Sequence, residues 1–306
     1  MRALVTGGCG FVGSHLVDRL LAAGYAVDVV DDLSSGRVAN LSEARADRAN
    51  DLTIHRIDVR AKELFGAVTR RPPDVVFHLA APVTGPAGEL ASVIVAGTAN
   101  VLDVAVAAGA TKIVAGFSAD LYGDVAPRDL PVKDTRDWAP RTARGLAERA
   151  AVGYLEAYRA EHSLEFCALA MADVYGPRCL HGFVADFARA LQAGEPGAVP
   201  AGITRDFVAV DDVVDALVRA AERGTGLIVN VATGVETSIG ALHALMASAV
   251  GVLTAPTAVP PSDGPVRLAL DPRRAEIYLG WRSFTPLGEG VGAVLRWWSE
   301  QARTPR

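Results

Sequence analysis

The sequence predicts an α/β fold: a doubly wound parallel sheet with a smaller, interleaved C-terminal α/β unit. Three observations carry that expectation. Short apolar runs alternate with segments of helical periodicity along most of the chain, the rhythm of right-handed β–α–β crossovers. The first apolar run opens into a glycine-rich turn that leads into a helix. Half of the 306 residues are apolar, enough for a large core in one big domain or two intimate ones.

Ala3 to Val5 is the first strand. It is bounded by Gly7, Gly8, Gly10 and Gly13, after which Phe11, Val12, Leu16, Val17 and Leu20 recur at helical spacing. Strand, tight turn and helix suit a dinucleotide, because small residues let the backbone approach a pyrophosphate at the helix N-terminus. Gly7, Gly10 and Gly13 spell GxxGxxG. A second strand, Ala26 to Val30, ends in Asp31-Asp32, about 20 residues on, where an acid meets the adenosine ribose hydroxyls. An acid there favours NAD, since it repels a 2′-phosphate; Arg37 alone leaves an opening for NADP.

The loop Leu33-Ser34-Ser35-Gly36-Arg37 follows. Leu52 to Ile57 reads as a third strand ending in Asp58-Val59-Arg60, with Asp58 either a partner for the adenine amino group or an ordinary strand-end acid. Ala61 to Thr69 is helical and stops at Pro72-Pro73. Val75 to Leu79 is a buried strand running into His78-Leu79-Ala80-Ala81. Its small residues suit a second close backbone approach to the cofactor, and His78 reads as a core histidine.

Leu90 to Ala108 is a long helix, apolar on nearly every side, which predicts burial of both faces and hints at a subunit interface. Ile113 to Phe117 is the next strand, followed by Ser118, Asp120, Tyr122 and Gly123. Arg144 to His162 is helical, and the strand Phe166 to Met171 leads into Asp173-Val174-Tyr175-Gly176-Pro177-Arg178. Beyond Gly176 the pattern loosens: a helix Phe183 to Ala193, a Gly/Pro-rich stretch, then Arg205-Asp206-Phe207-Val208 before a helix opened by Asp211-Asp212. Leu227 to Val231 is a further core strand, Asp271-Pro272 caps a short helix, and Leu287 to Gln301 is amphipathic. Residues 1–175, rejoined by 206–235, form the expected dinucleotide-binding domain. Residues 176–205 and 236–306 form the expected substrate domain, closing over the C-terminal edge of the sheet where open α/β sheets bind ligands.

A net charge of −5, with acids and bases scattered, excludes a basic face for nucleic acid. Three dispersed cysteines imply neither a disulfide framework nor a metal cluster and suit a reducing, cytoplasmic setting. With no charged leader or apolar h-region, no signal peptide is expected. Thr237 to Ser262 carries no formal charge, but Gly240, Gly251, Pro256, Pro260 and Pro261 break it into helix, turn and strand, so no membrane span is read there.

Jointly, TGGCGFVGSHL from Thr6, VDDLSSG from Val30, Asp58-Val59-Arg60, HLAA from His78, GTANVLDVA from Gly97, VYGPR from Val174, RDFVAVDDVVDA from Arg205 and LGW from Leu279 resemble the extended short-chain dehydrogenases/reductases, nucleotide-sugar epimerase/dehydratase branch. The resemblance covers almost the whole chain. It implies an NAD-binding Rossmann half, a half binding a nucleotide diphosphate-sugar, and a homodimer paired through the helices from Leu90 and Arg144. It assigns the cofactor to Gly7, Gly10, Phe11, Val12, Gly13, Asp31, Asp32, Ser35, Gly36, Asp58, Val59, Leu79, Ala80 and Ala81. It assigns the ligand's diphosphate to Arg205 and Arg267, with Tyr175 and Asp173 also facing the substrate. Guanidinium forks suit a pyrophosphate. The alternative is local pairing, Arg205 with Asp206 or Asp211 and Arg267 with Asp263.

One part of the pattern is broken. The family uses a tyrosine and, four residues later, a lysine that lowers the phenol's pKa and holds the nicotinamide ribose. Ser118 stands where the family places its assisting serine. The segment that should carry the pair reads Pro140-Arg141-Thr142-Ala143-Arg144-Gly145-Leu146-Ala147-Glu148, with Arg144 for the tyrosine and Glu148 for the lysine. The family's asparagines are Ile94 and Asp173. The lysines are Lys62, Lys112 and Lys133 alone, and none lies four residues after a tyrosine. Ser118, Arg144, Glu148 and Asp173 are therefore the candidate catalytic residues. Arg144 stays protonated and cannot be a base, but it can bind phosphate or polarise a carbonyl. Glu148 can accept from ribose hydroxyls or act as a base. Alternatively the two form only an intrahelical ion pair, worth about 0.2–0.5 kcal/mol. Asp120, Asp173 and His181 are ionisable groups with two readings, facing the cleft or, the favoured one, serving as surface or capping residues. Two functions follow as expectations: an atypical enzyme on a nucleotide sugar, or an inactive NAD- or nucleotide-sugar-binding member with a regulatory or scaffolding role. A third is an enzyme on some other anion.

Overall fold

The computed structural model describes residues 1–252, 255–261 and 266–303. Strands β1 (Arg2–Thr6), β2 (Ala26–Asp31), β3 (Leu52–Arg56), β4 (Val75–His78), β5 (Lys112–Ser118) and β6 (Glu165–Met171) join the strand Leu227–Val231 in one seven-stranded sheet. From one edge the order is Leu227–Val231, β6, β5, β4, β1, β2, β3, and every neighbouring pair is parallel. The strands are apolar runs rather than alternating ones because helices cover both faces of a parallel sheet. All four residues of β4 are buried.

The order runs outward in both directions from β1 and β4, so the loops after these strands diverge and leave a crevice at their C-terminal ends. In register, Thr6 lies beside Val30 and His78. That brings the glycine turn, the Asp31 end of β2 and the Leu79–Ala81 segment to one edge. Thr6 Oγ1 is 2.8 Å from His78 Nδ1, and His78 Nε2 is 3.0 Å from Thr98 Oγ1. Burial pushes the His78 imidazole down to about 4, so it is a neutral core residue.

The helix Phe11–Ala22 packs on Val210–Glu222, and Gly97–Ala108 packs between Glu63–Thr69 and Ala143–His162. The long apolar helix begins at Ala87, passes through a π turn at Ser92–Ala96 and ends at Ala108. Leu90, Ile94, Val101, Leu102 and Ala105 on its inner side are buried, whereas Ala91, Ala96 and Asp103 on the outer side are exposed in the single chain. Among the described residues this is the one helix long and apolar enough to cross a membrane by length and composition, and here its inner side packs into the core.

A second core forms from Val184 and Phe187, Leu242 and Met246, and Val291 and Val294, on the helices Phe183–Gln192, Ile239–Val250 and Leu287–Arg303. The parallel pair Asp173–Tyr175 and Phe207–Ala209 stitches it to the sheet. These strands of three residues are too short to announce themselves by periodicity. Asp206, between them, is buried and accepts hydrogen bonds from Thr233 N and Oγ1, Gly234 N and Leu270 N.

Candidate active site

The crevice holds two cavities of about 380 Å³ each that share Phe11, Val12, Val83, Arg144 and Met171. The first follows the glycine turn, Asp31, Asp32, Ser35, Asp58, Val59 and Leu79 to Ala81. Gly7 has φ +70°, and a Cβ there would lie 2.9 Å from the Leu79 carbonyl and Ala80 N. A Cβ on Gly13 would run into the Gly7 carbonyl oxygen. Only glycine lets turn, helix and β4 end approach this closely. Gly10, the N-cap of the Phe11–Ala22 helix, offers no side-chain acceptor, so the first-turn N–H groups remain for an anion.

Asp31 accepts from Cys9 N and Leu33 N at 2.9 Å each, which fixes its carboxylate at the cavity's edge. Burial raises its pKa and these two N–H groups oppose the rise. Asp32 accepts from Ser34 N and Oγ. Asp58 is gripped by Arg60, Nη2 to Oδ2 at 2.6 Å, which holds its carboxyl below the usual range. It lines the cavity as a paired acid. An uncapped helix end, a backbone cradle and a carboxylate beside them fit a dinucleotide's pyrophosphate and ribose.

The second cavity is lined by Ser118, Asp120, Arg144, Asp173, His181 and Arg205, among others. Asp120 lines it half-buried, and His181 lines it from the surface, exposed as expected. Asp173 lies 3.8 Å from Arg205 Nε. Its pKa is raised to about 6, chiefly by burial; Arg205 pulls it down, and Asp120 and Asp206 push it up. The carboxyl still keeps 39 % of its side-chain surface. Water on that open side resists the rise, and a ligand filling the cavity would remove it.

Behind Ser118 stands Glu148, 1 % exposed. Ser118 Oγ donates to Glu148 Oε2 at 2.6 Å, Ser118 N donates to the same oxygen at 3.1 Å, and Arg144 Nε donates to Oε1 at 2.9 Å. The expected Arg144–Glu148 ion pair forms, but it belongs to a larger unit that ties the end of β5 to the Ala143–His162 helix. Thr142 caps that helix, its Oγ1 accepting from Gly145 N at 3.0 Å. Glu148 lines neither cavity, which corrects the expectation that it meets ribose or substrate directly. It is sealed off by Ser118 and Arg144.

Three further assignments change. Arg205 pairs with Asp173, not with Asp206, whose oxygens are taken by backbone, nor with Asp211. Arg267 does not line the cavity. Glu236 holds it through Nε at 3.0 Å and Nη2 at 2.7 Å, and its other proposed partner, Asp263, lies outside the described residues. Tyr175 borders the cavity by its ring, but its hydroxyl is buried against Gly290 and makes no hydrogen bond to another described residue. Its role there is packing, edge-on to Phe207.

The tyrosine hydroxyls and the lysine ammonium groups lie away from both cavities. Tyr122 is buried and donates to Asn230 Oδ1 at 2.6 Å; Tyr158 donates to Asp103; Tyr154 and Tyr278 are exposed. Tyr25 packs at the sheet's other end, beside the start of β2. Lys112 Nζ donates to the Arg223 carbonyl, and Lys62 and Lys133 are exposed. Among the described residues no phenol hydroxyl and no ammonium reaches either cavity.

A parallel doubly wound sheet with a dinucleotide cradle opening into a second polar cavity defines an NAD-dependent enzyme of the extended short-chain dehydrogenase/reductase class. The chain belongs to the NAD dependent epimerase/dehydratase family, whose profile matches residues 3–232. It is 38 % identical over 318 residues to a UDP-glucose 4-epimerase of Mycolicibacterium smegmatis, spanning 99 % of this chain and 100 % of that one. It is similar to the structure of Thermotoga maritima UDP-glucose 4-epimerase with UDP-glucose, at a TM-score of 0.93 and 31 % identity over 99 % of this chain and 100 % of that one. Thermus thermophilus UDP-glucose 4-epimerase in complex with NAD superposes at a TM-score of 0.89 and 31 % identity, over 98 % of this chain and 99 % of that one.

Proposed function

We propose that the protein uses NAD to act on a nucleotide diphosphate-sugar, in an epimerase- or dehydratase-type reaction that dispenses with the tyrosine–lysine pair. The observation that carries this reading is the meeting of the two cavities at Arg144, with a dinucleotide cradle in one and Ser118, Arg205 and Asp173 in the other. The similar proteins crystallised with UDP-glucose and with NAD support the same ligand pair. Bound NAD supplies a reversible hydride acceptor. The chain's own part is to grip and orient. The first-turn N–H groups of the Phe11–Ala22 helix take the pyrophosphate, Asp31 the adenosine ribose, and Arg205 the sugar nucleotide's diphosphate. Arg144 stands between the two and is suited to a developing oxyanion. Asp173, raised toward neutrality, suits holding or releasing a proton at its carboxyl oxygen.

The test is incubation of the purified protein with UDP-, TDP- and GDP-sugars, with products resolved by chromatography and NMR. A sugar product from at least one supports the reading. Coenzyme and nucleotide binding with no product from any supports the second reading, an inactive binding member with a regulatory or scaffolding role. That reading is favoured by the saturation of Glu148 by three donors. We also propose a homodimer. The outer side of the Ala87–Ala108 helix, with Tyr154 beside it, is a shallow groove of small and aromatic residues suited to a copy of itself.

A further inference from the structure

A sugar hydroxyl cannot become a carbonyl without giving up its proton, and Arg144, protonated at any working pH, cannot take it. Glu148 is a carboxylate without access to the cavity, and of the two groups that seal it off, Ser118 is the one that can pass a proton. A carboxylate only accepts, so the Ser118 hydroxyl hydrogen points at Glu148 Oε2, 2.6 Å away. One lone pair on Ser118 Oγ receives the Asp120 N–H at 3.3 Å, and the hydroxyl borders the substrate cavity.

We propose that Ser118 and Glu148 form a two-step proton relay that replaces the missing phenol, with Arg144 as its positioning residue. The inference rests on the enzymatic reading above. The sugar O–H bond breaks as an O–H bond forms on Ser118 Oγ. Ser118's own proton passes to Glu148 Oε2. The electron pair of the adjacent carbon–hydrogen bond leaves as hydride, taken up by the oxidised coenzyme that the family's reaction supplies, and the C–O bond becomes C=O. Return of hydride and proton runs the same path backward. Arg144 Nε engages Oε1 and so keeps Oε2 turned to Ser118. Asp173 takes no part in this step.

The relay is tested with the nucleotide sugar that the product screen identifies. Reduced-coenzyme formation is followed by stopped-flow absorbance in the wild type and in Glu148→Gln, Glu148→Asp, Ser118→Ala and Asp173→Asn. Calorimetry tracks affinity for coenzyme and sugar, and infrared difference spectra look for a newly protonated carboxyl group. General acid–base groups contribute about 10²–10⁴-fold. The relay predicts a loss in that range for Glu148→Gln and Ser118→Ala, partial recovery in Glu148→Asp, and affinities within about threefold of wild type. It also predicts a protonated-carboxyl band in the wild type that Glu148→Gln abolishes. A Glu148→Gln enzyme that reduces coenzyme within threefold of wild type overturns the relay alone, as does a carboxyl band that persists in it but vanishes in Asp173→Asn. If the wild type binds both ligands and reduces no coenzyme with any sugar, the enzymatic reading falls and the relay with it.

Discussion

Arg205 and Arg267 look equivalent in the sequence, and the fold separates them. Arg205 borders the substrate cavity, whereas Arg267 spends its fork on Glu236. A charged hydrogen bond is worth about 1.5–3 kcal/mol, so Arg205→Ala should weaken UDP binding about 10- to 100-fold by calorimetry. Arg267→Ala should cost less than threefold. Equal losses would mean that Glu236 releases Arg267 to the ligand. Asp173 gives a second prediction. Its pKa is raised in the folded protein from 3.8 to about 6, so the native state holds this proton longer than the unfolded chain. Its contribution to stability therefore falls as pH rises through the window between about 4 and 6. The difference in melting temperature between Asp173→Asn and wild type should grow in the variant's favour across that window and level off above it. A flat difference would show that water keeps the carboxyl near its ordinary pKa.

Among elements, the glycine turn was legible because its information is local. GxxGxxG and the acid after β2 lie within about 20 residues and answer one geometric need. Gly7→Ala should cost about 1 kcal/mol or more from the left-handed backbone alone, and it should sharply weaken coenzyme binding in a fluorescence titration. The Ser118–Glu148 contact was not legible. It spans 30 residues and depends on how the Ala143–His162 helix sits over the end of β5, which no spacing rule reports. The Arg144–Glu148 pair could be read from its i,i+4 spacing, but the third member could not. The Glu236–Arg267 pairing, 31 residues apart, was hidden for the same reason. The N-cap at Thr142 is a local signal, a threonine immediately before the helix it opens. Thr142→Ala should lower stability by about 1 kcal/mol in urea unfolding, and because this turn carries Arg144, it should reduce turnover as well.

For the whole molecule, the layered sheet and its crevice follow from the alternation of apolar runs and helices, which is why the fold class could be read before any contact was known. The proposed subunit pairing rests on one side of one helix. Sedimentation should give twice the chain mass, and Ala99→Glu on the outer side of the Ala87–Ala108 helix should shift it toward the monomer. An unchanged mass in that variant would move the interface elsewhere. The central claim is that this fold grips two phosphate-bearing ligands around a proton path with no phenol in it. The most direct measurement is a crystal structure of the protein with NAD and a nucleotide sugar bound. The account predicts Ser118 Oγ within hydrogen-bond distance of the reacting sugar hydroxyl, with Glu148 behind it. A tyrosine hydroxyl in that place, or a sugar bound away from Ser118, would contradict it.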